Sequence, residues 1–340
     1  MTRHIARWDL DKTYLRTEFD TLRDLVRTAM ERPDEKRTNP GAATLLREMV
    51  RVGVEVHILS GSPEQMRNRL EDKLRLDGIT WESFTLKPNL RNVLRLRFRA
   101  LRDQLGYKLP ALLRARARLT VPSDEATPAA LPRETLFGDD AEADAFVYSL
   151  YGDVVSGRVD EATLLAVCER GRMYEDVLAE VAQTVSMMDH VEAVERIFIH
   201  LERQTPPDDF LFYGSRVVPF YNYLQAAFVL HEDGRLPSES VLRVATELCL
   251  QHRFDGDALA RSYGDLARRG HLRGTGDVAL SEALRAWTER EAVPGAKELV
   301  RMTEALPRYA DIARKLPVRV EPDLPDYVKL VTAHNRRRKK

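Results

Sequence analysis

Residues 4–13 read HIARWDLDKT, and this stretch decides the fold. A short run, 4–8, stops abruptly at Asp9, which is the pattern of a strand whose end presents polar groups. The pattern recurs along the first half. Val54, Val56, Ile58 and Leu59 make a second compact strand ending at Ser60, ITWESFTL at 79–86 alternates as a third, and 134–137 runs into Gly138-Asp139-Asp140. Helical spacing fills the intervals. Phe19, Leu22, Leu25, Val26 and Met30 predict a helix over 19–31, and AATLLREMVR predicts one over 42–51. Ser62-Pro63-Glu64 reads as an N-cap followed by a first-turn proline, opening a helix to about Leu76. A basic helical pattern at 90–105 and a shorter helix at 109–119 follow, with loops at 32–41 and 120–133. Strands alternating with helices predict an α/β domain with a mainly parallel sheet over 1–158. In such a sheet ligands bind beyond the carboxyl ends of the strands, where Asp9, Ser60 and Asp139 fall.

From about Asp160 the texture changes. Apolar-periodic segments at 161–171, 174–187, 189–203, 215–231, 238–252, 256–270, 279–291 and 295–314 predict an all-α domain over 159–340. No fixed repeat runs through them. The Pro-rich stretch 317–326 is expected to wrap a surface, and the chain closes on a basic tail, Arg336 to Lys340.

Lys+Arg and Asp+Glu are both 53 in 340 residues, so no global field draws the chain to a polyanion, and no specific nucleic-acid binding is expected. The basic tail is read as a solvated end, with contact to anionic lipid or nucleic acid as the other option. Cys168 and Cys249 sit in apolar helical runs without metal-ligand spacing, as inert thiols of a reducing compartment would. The N-terminus has no apolar run of signal-peptide type, and no stretch approaches a membrane span. The expectation is a soluble, cytoplasmic protein without a transmembrane segment; nothing in the sequence sets an oligomeric state.

Four pieces carry chemistry, in order: Asp9-Leu10-Asp11-Lys12-Thr13; Ser60 after a strand; Lys108, leading the helix read at 109–119 before the fourth-motif strand; and Gly138-Asp139-Asp140-Ala141-Glu142-Ala143-Asp144. Lys87 competes with Lys108 for the third place. This ordered set resembles the signature of the haloacid dehalogenase superfamily: D-x-D-x-T, Ser or Thr, Lys, and an acidic G-D-x-x-x-x-D. The resemblance covers roughly residues 4–150. Within the superfamily, Ile58 to Pro63 and Leu136 to Tyr148 look most like the catalytic domain of bacterial and fungal phosphatidate phosphatases. That group usually has Asp where this chain has Lys12.

The resemblance implies a Rossmannoid parallel sheet with flanking helices and a Mg²⁺-dependent phosphatase acting on a phosphorylated small molecule or lipid. By it, Asp9 is the nucleophile, forming an aspartyl-phosphate, and Asp11 the general acid and base. Lys108 neutralises the developing charge. Ser60 and Gly61, with Thr13, bind the phosphate. Asp9, Asp11 (through its backbone carbonyl) and Asp139 hold Mg²⁺, and the site is completed by Asp144, as a direct ligand or as an acidic partner one layer out, or by the adjacent Asp140. The acidic and basic residue types fit such chemistry, because a phosphoryl transition state spreads negative charge over several oxygens.

Other features have plainer readings. His57 lies inside an apolar strand and reads as a packed, hydrogen-bonded histidine. Phe210, Phe212, Tyr213, Phe220, Tyr221 and Tyr223 read as core or interdomain packing, with a lipid or partner groove as the other option. The basic face of 91–102, with Arg91, Arg95, Arg97, Arg99 and Arg102, reads as solvated, with contact to an anionic substrate as the other option. Residues 14–39 have room for a flap and one helix but not a cap domain. The site is therefore either open to a bulky substrate or covered by the helical half. The alternative to an enzyme is a helical interaction or scaffold protein with a vestigial or regulatory phosphatase domain.

Overall fold

The structure is a computed structural model that describes residues 3–16, 37–87, 101–119, 131–317 and 319–337. The helix read over 19–31, the loop at 120–130, the side chains of the basic face at 91–102 and those of the tail lie outside the described residues.

Strand β1 (His4–Trp8) is wholly buried, with neighbours on both sides. Helix α1 (Ala42–Arg51) leads to β2 (Glu55–Pro63), and a 3₁₀ turn at Glu64–Met66 leads to α2 (Arg67–Leu76) and β3 (Ser83–Lys87). Helix α3 (Leu101–Ala117) precedes β4 (Arg133–Asp139) and α4 (Asp144–Val155). Helices α5 (Glu161–Arg170) and α6 (Glu175–Ser186) follow, then β5 (Val194–His200) and β6 (Val217–Phe220). The remainder is helical: α7 (Tyr223–Glu232), α8 (Ser238–His252), α9 (Gly256–Arg268), α10 (Asp277–Arg290), α11 (Ala296–Lys315) and α12 (Tyr327–Arg337).

The six strands form one parallel sheet in the order β3-β2-β1-β4-β5-β6. The chain winds outward from β1 through β2 to β3, then crosses to β4 and winds the other way. The order therefore reverses between β1 and β4, and the crevice beyond their carboxyl ends is where an α/β sheet of this kind receives a ligand. One face is covered by α1, α2 and the bundle from α7 to α11. The other is covered by α3, α4, α5, α6 and α12. Along the first face runs an aromatic ladder. Trp8 stacks on Phe137 with ring centroids 3.9 Å apart, and Phe137 on Phe198 at 4.9 Å. Each pair sits at one register position of adjacent strands.

The structure corrects several sequence readings. The segments 189–203 and 215–231, read as helices, contain β5 and β6, so the sheet crosses the expected 158/159 boundary. An all-α region begins only at Tyr223. The run VERIFIH is short, rich in β-branched residues and buried over its last four positions, and a short apolar run carries no periodicity that separates strand from helix. Nor does Ser62 cap a helix. Strand β2 continues through Pro63, and the α-helix starts only at Arg67. The separate helices read at 90–105 and 109–119 are continuous over 101–117, with Pro110 inside. Helix α12 was not expected; its Tyr327 hydroxyl hydrogen-bonds the buried Asp153 of α4.

Candidate functional site

Asp9 is the first residue after β1, and its amide still donates to the Phe137 carbonyl of β4 at 3.0 Å. Its carboxylate is thereby fixed at the switch point. Asp139 is the last residue of β4. Its Oδ1 accepts from the amides of Ala141, at 2.6 Å, and Glu142, at 2.9 Å, so the turn after the strand is built around this carboxylate. Asp144 opens α4, and its Oδ2 accepts from the Asp139 amide at 3.2 Å. Gly138 makes room for it, since a Cβ there would lie 2.5 Å from Asp144 Cβ and closer still to Oδ2.

One oxygen from each of Asp9, Asp139, Glu142 and Asp144 falls within 4.8 Å of the others. The three aspartates are wholly buried and Glu142 is half-buried. Into this group α3 projects Lys108, which is wholly buried and lies in the middle of that helix rather than leading one. Its Nζ lies 2.5 Å from Asp144 Oδ1, 2.9 Å from Glu142 Oε2 and 3.2 Å from Asp9 Oδ1. Lys87, the competing lysine, instead closes β3 beside Pro63.

The electrostatics follow from the imbalance of several buried carboxylates around one ammonium. Burial pushes the Asp9 carboxyl well above the ordinary aspartate range; Lys108 opposes this, and Asp144, Glu142 and Asp139 add to it. Asp139 is pushed up by burial and by Asp144 and Glu142. Asp144 rises to about 6, again chiefly by burial, with Lys108 in opposition. Burial alone would lower the Lys108 pKa, but Asp144, Asp9 and Glu142 together raise it well above its ordinary value. A site with this excess of negative charge stabilises a bound cation.

The donor set fits a hard divalent cation. It consists of carboxylate oxygens, as Mg²⁺ requires. In addition, Asp9 Oδ1 is buried and receives no hydrogen bond among the described residues, although Lys108 lies nearby. The residues that could hold such a cation are Asp9, Asp139, Glu142 and Asp144.

Asp11 stands apart from the acidic group. Its Oδ2 accepts from Ser60 Oγ at 3.0 Å and from Ser62 Oγ at 2.7 Å, so its carboxylate is tied to the end of β2. Ser60 Oγ also accepts from the Ser62 amide at 3.0 Å. Gly61, half-buried between these serines, has only Gln104 Nε2 near the position of a missing Cβ, at 4.0 Å. Thr13 Oγ1 lies 3.3 Å from Asp9 Oδ2 and 3.4 Å from Asp139 Oδ2, bridging the ends of β1 and β4. Asp140 points elsewhere. Its two carboxylate oxygens accept from the amides of Arg203 and Thr205 and hold the loop after β5.

The structure thus brings Asp9, Thr13, Lys108, Asp139 and Asp144 into one cluster, while the Asp11 carboxylate is held instead by Ser60 and Ser62 in the last residues of β2, on either side of Gly61. Sequence reasoning missed Glu142 and Ser62. Glu142 sits inside the acidic motif that the sequence displays, and its pairing with Lys108 gave no separate signal; Ser62 was assigned to a helix cap. His57 is as expected, packed within β2 with Nδ1 2.7 Å from Ser83 Oγ. Of the aromatic set, Phe210, Phe220 and Tyr223 are buried, whereas Phe212 and Tyr221 are exposed. No helix among the described residues is long and apolar enough to cross a membrane. Comparison with protein-family models, with curated proteins and with solved structures finds no match.

Proposed function

We propose that this chain is a Mg²⁺-dependent phosphomonoesterase of the haloacid dehalogenase kind, working through an aspartyl-phosphate on Asp9. The observation that supports this reading is the buried Asp9 carboxylate at the switch point of the sheet, sharing Lys108 with Asp144 and Glu142. A carboxylate is a weak nucleophile, and it must be placed in line with phosphorus and relieved of repulsion from the incoming phosphate. The end of β1 supplies the placement, and Lys108 supplies a fixed positive charge.

In the proposed reaction an Asp9 oxygen attacks phosphorus and the bond to the leaving oxygen breaks. Asp11 gives that oxygen a proton. Water then attacks the aspartyl-phosphate, Asp11 takes a proton from it, and phosphate leaves with Asp9 restored. The Ser60 and Ser62 hydroxyls are engaged by Asp11 in this structure, so a phosphate that bound them would have to displace Asp11. Mg²⁺ held by Asp9, Asp139 and Asp144 would neutralise charge on the phosphoryl oxygens. The substrate is a phosphomonoester, and a lipid phosphate is the class that the likeness to phosphatidate phosphatases offers.

The test is phosphate release from an aryl phosphate and from phosphatidate in mixed micelles, with Mg²⁺ and with EDTA, for wild type beside Asp9→Asn. Turnover that needs both Mg²⁺ and Asp9 supports the reading. A folded, Mg²⁺-loaded wild type that releases phosphate from neither substrate, nor from a panel of phosphorylated metabolites, overturns it and leaves the interaction-protein alternative.

A further inference from the structure

The loop that carries Asp9, Asp11 and Thr13 is held by residues far along the chain. Lys12 has φ +62°, a left-handed conformation that a residue with a side chain keeps only where its surroundings impose it. Three side chains do so here. Asn39 Nδ2 donates to the carbonyl oxygens of Lys12 at 3.0 Å and Thr13 at 2.7 Å. His200 Nδ1 donates to the Lys12 carbonyl at 3.2 Å, and the Tyr223 hydroxyl donates to the Thr13 carbonyl at 2.5 Å.

These donors are held by burial and ring packing. Tyr223 and Asn39 are almost wholly buried, and His200 nearly so. The Tyr223 ring stacks on Trp8, with centroids 5.7 Å apart, and on His200 at 5.6 Å; Phe220 meets it edge-on at 4.9 Å. Tyr223 is also the first residue of α7, and α7 packs against α8 and α9 of the bundle. Helix α8 makes a second connection, because Glu247 Oε1 accepts from the Gly41 amide at 3.1 Å, two residues after Asn39. Gly41 has φ +85°, and a Cβ there would lie 3.1 Å from Tyr223 Cβ. The bundle therefore touches the chain at Thr13 and again at Gly41, beside Asn39.

The consequence reaches the carboxylates through Thr13, whose hydroxyl lies between Asp9 and Asp139 while its carbonyl is held by Tyr223 and Asn39. We infer that Tyr223 is a positioning residue for the proposed phosphoryl transfer, and that the helical bundle serves the active site by anchoring this clamp. The inference rests on the phosphatase reading for its kinetic consequence but not for its structural one.

Tyr223→Phe in the full chain keeps the stacked ring and removes only the hydroxyl. Two readouts are needed. By hydrogen exchange with mass spectrometry, peptides covering 9–15 should exchange faster than in wild type, while peptides from β4 and α8 keep their protection. In phosphate-release kinetics kcat should fall about ten- to a hundredfold with KM little changed, as a displaced reacting group dictates. Unchanged exchange at 9–15 overturns the clamp, and so does a loss of protection spread evenly over the sheet and bundle, which is what a general packing defect gives. An unchanged kcat with faster exchange overturns the positioning role. If wild type itself shows no turnover, the phosphatase reading falls, and the exchange at 9–15 alone decides whether the clamp exists.

Discussion

Lys108 Nζ and Asp144 Oδ1 lie 2.5 Å apart, and neither side chain reaches solvent. The same ammonium serves Glu142 and Asp9, so one cation is shared among carboxylates that repel one another. Burial of the lysine is sustained by this excess of partners, which keeps it charged.

Replacing Lys108 by Met should therefore destabilise the protein in EDTA by about 3–5 kcal/mol, the usual effect of leaving buried charges without their partner. Added Mg²⁺ should restore a large part of the loss, because a divalent cation supplies the missing positive charge. Urea unfolding of the variant with and without Mg²⁺ measures this. An equal loss in both conditions would mean that the cluster does not take the cation.

The two adjacent aspartates after Gly138 have opposite expected effects. Mg²⁺ should raise the Tm of wild type, and Asp139→Asn should abolish that rise, because it removes a carboxylate from the acidic group. Asp140→Ala should keep that rise, although the protein is weaker by about 1–3 kcal/mol, since the amides of Arg203 and Thr205 lose a charged acceptor. Thermal denaturation of both variants across a Mg²⁺ titration separates them, and a lost response in Asp140→Ala would contradict the geometry.

Why the sequence showed Asp139 but not its division of labour with Asp140 is a matter of what sequence encodes. The end of β1 at Asp9, the end of β4 at Asp139 and helix α1 were legible, because each is marked by a change of polarity at one point along the chain. The direction in which Asp140 points depends on where the loop after β5 passes, a contact 63 residues away. Strands β5 and β6 were illegible for a related reason. Both are buried edge-to-edge against neighbours chosen by the sheet, and VVPF and VERIFIH are too short to display a period. Ser62 was misread because Ser-Pro-Glu is a strong helix-start signal, overridden here by the pairing of Pro63 with Lys87 and by the bond from Ser62 to Asp11.

Gly138 supplies a steric test of the same site. An alanine Cβ would sit 2.5 Å from Asp144 Cβ, well inside van der Waals contact, so Asp144 must move away. Gly138→Ala should cost about 1–3 kcal/mol, as overpacking of a filled interior does. It should also break the pair between Asp144 and Lys108, and Mg²⁺ should then raise Tm less than in wild type. A variant with wild-type stability and an undiminished Mg²⁺ response would show that the site tolerates displacement of Asp144.

The base of α3 should give the protein a distinct pH dependence. Eight residues beyond Lys108, Arg116 donates to Glu134 of β4 at 3.1 Å and to the Pro132 carbonyl at 2.8 Å, which ties this helix to the sheet. Glu134 also accepts from Arg7 Nε at 2.8 Å and from the Tyr151 hydroxyl at 2.8 Å. Burial alone would raise its pKa, but Arg7, Arg116 and Tyr151 together bring it down from 4.5 to about 2. A carboxylate with a depressed folded pKa binds fewer protons folded than unfolded over that range. Its stabilisation is thus present above pH 4.5 and is lost as pH falls toward 2, an effect of roughly 3 kcal/mol. Glu134→Gln should accordingly be less stable than wild type at neutral pH by at least that amount, since two buried guanidinium groups lose their counter-charge. The difference should shrink steadily as pH falls through this window, because a protonated Glu134 and the uncharged amide of the variant both present a neutral group to Arg7 and Arg116. Urea unfolding of both proteins at about pH 7, 4.5 and 3 checks this, spanning the window between the unfolded and folded pKa values. A difference that stays constant with pH would mean that Glu134 is not held ionised by the two arginines.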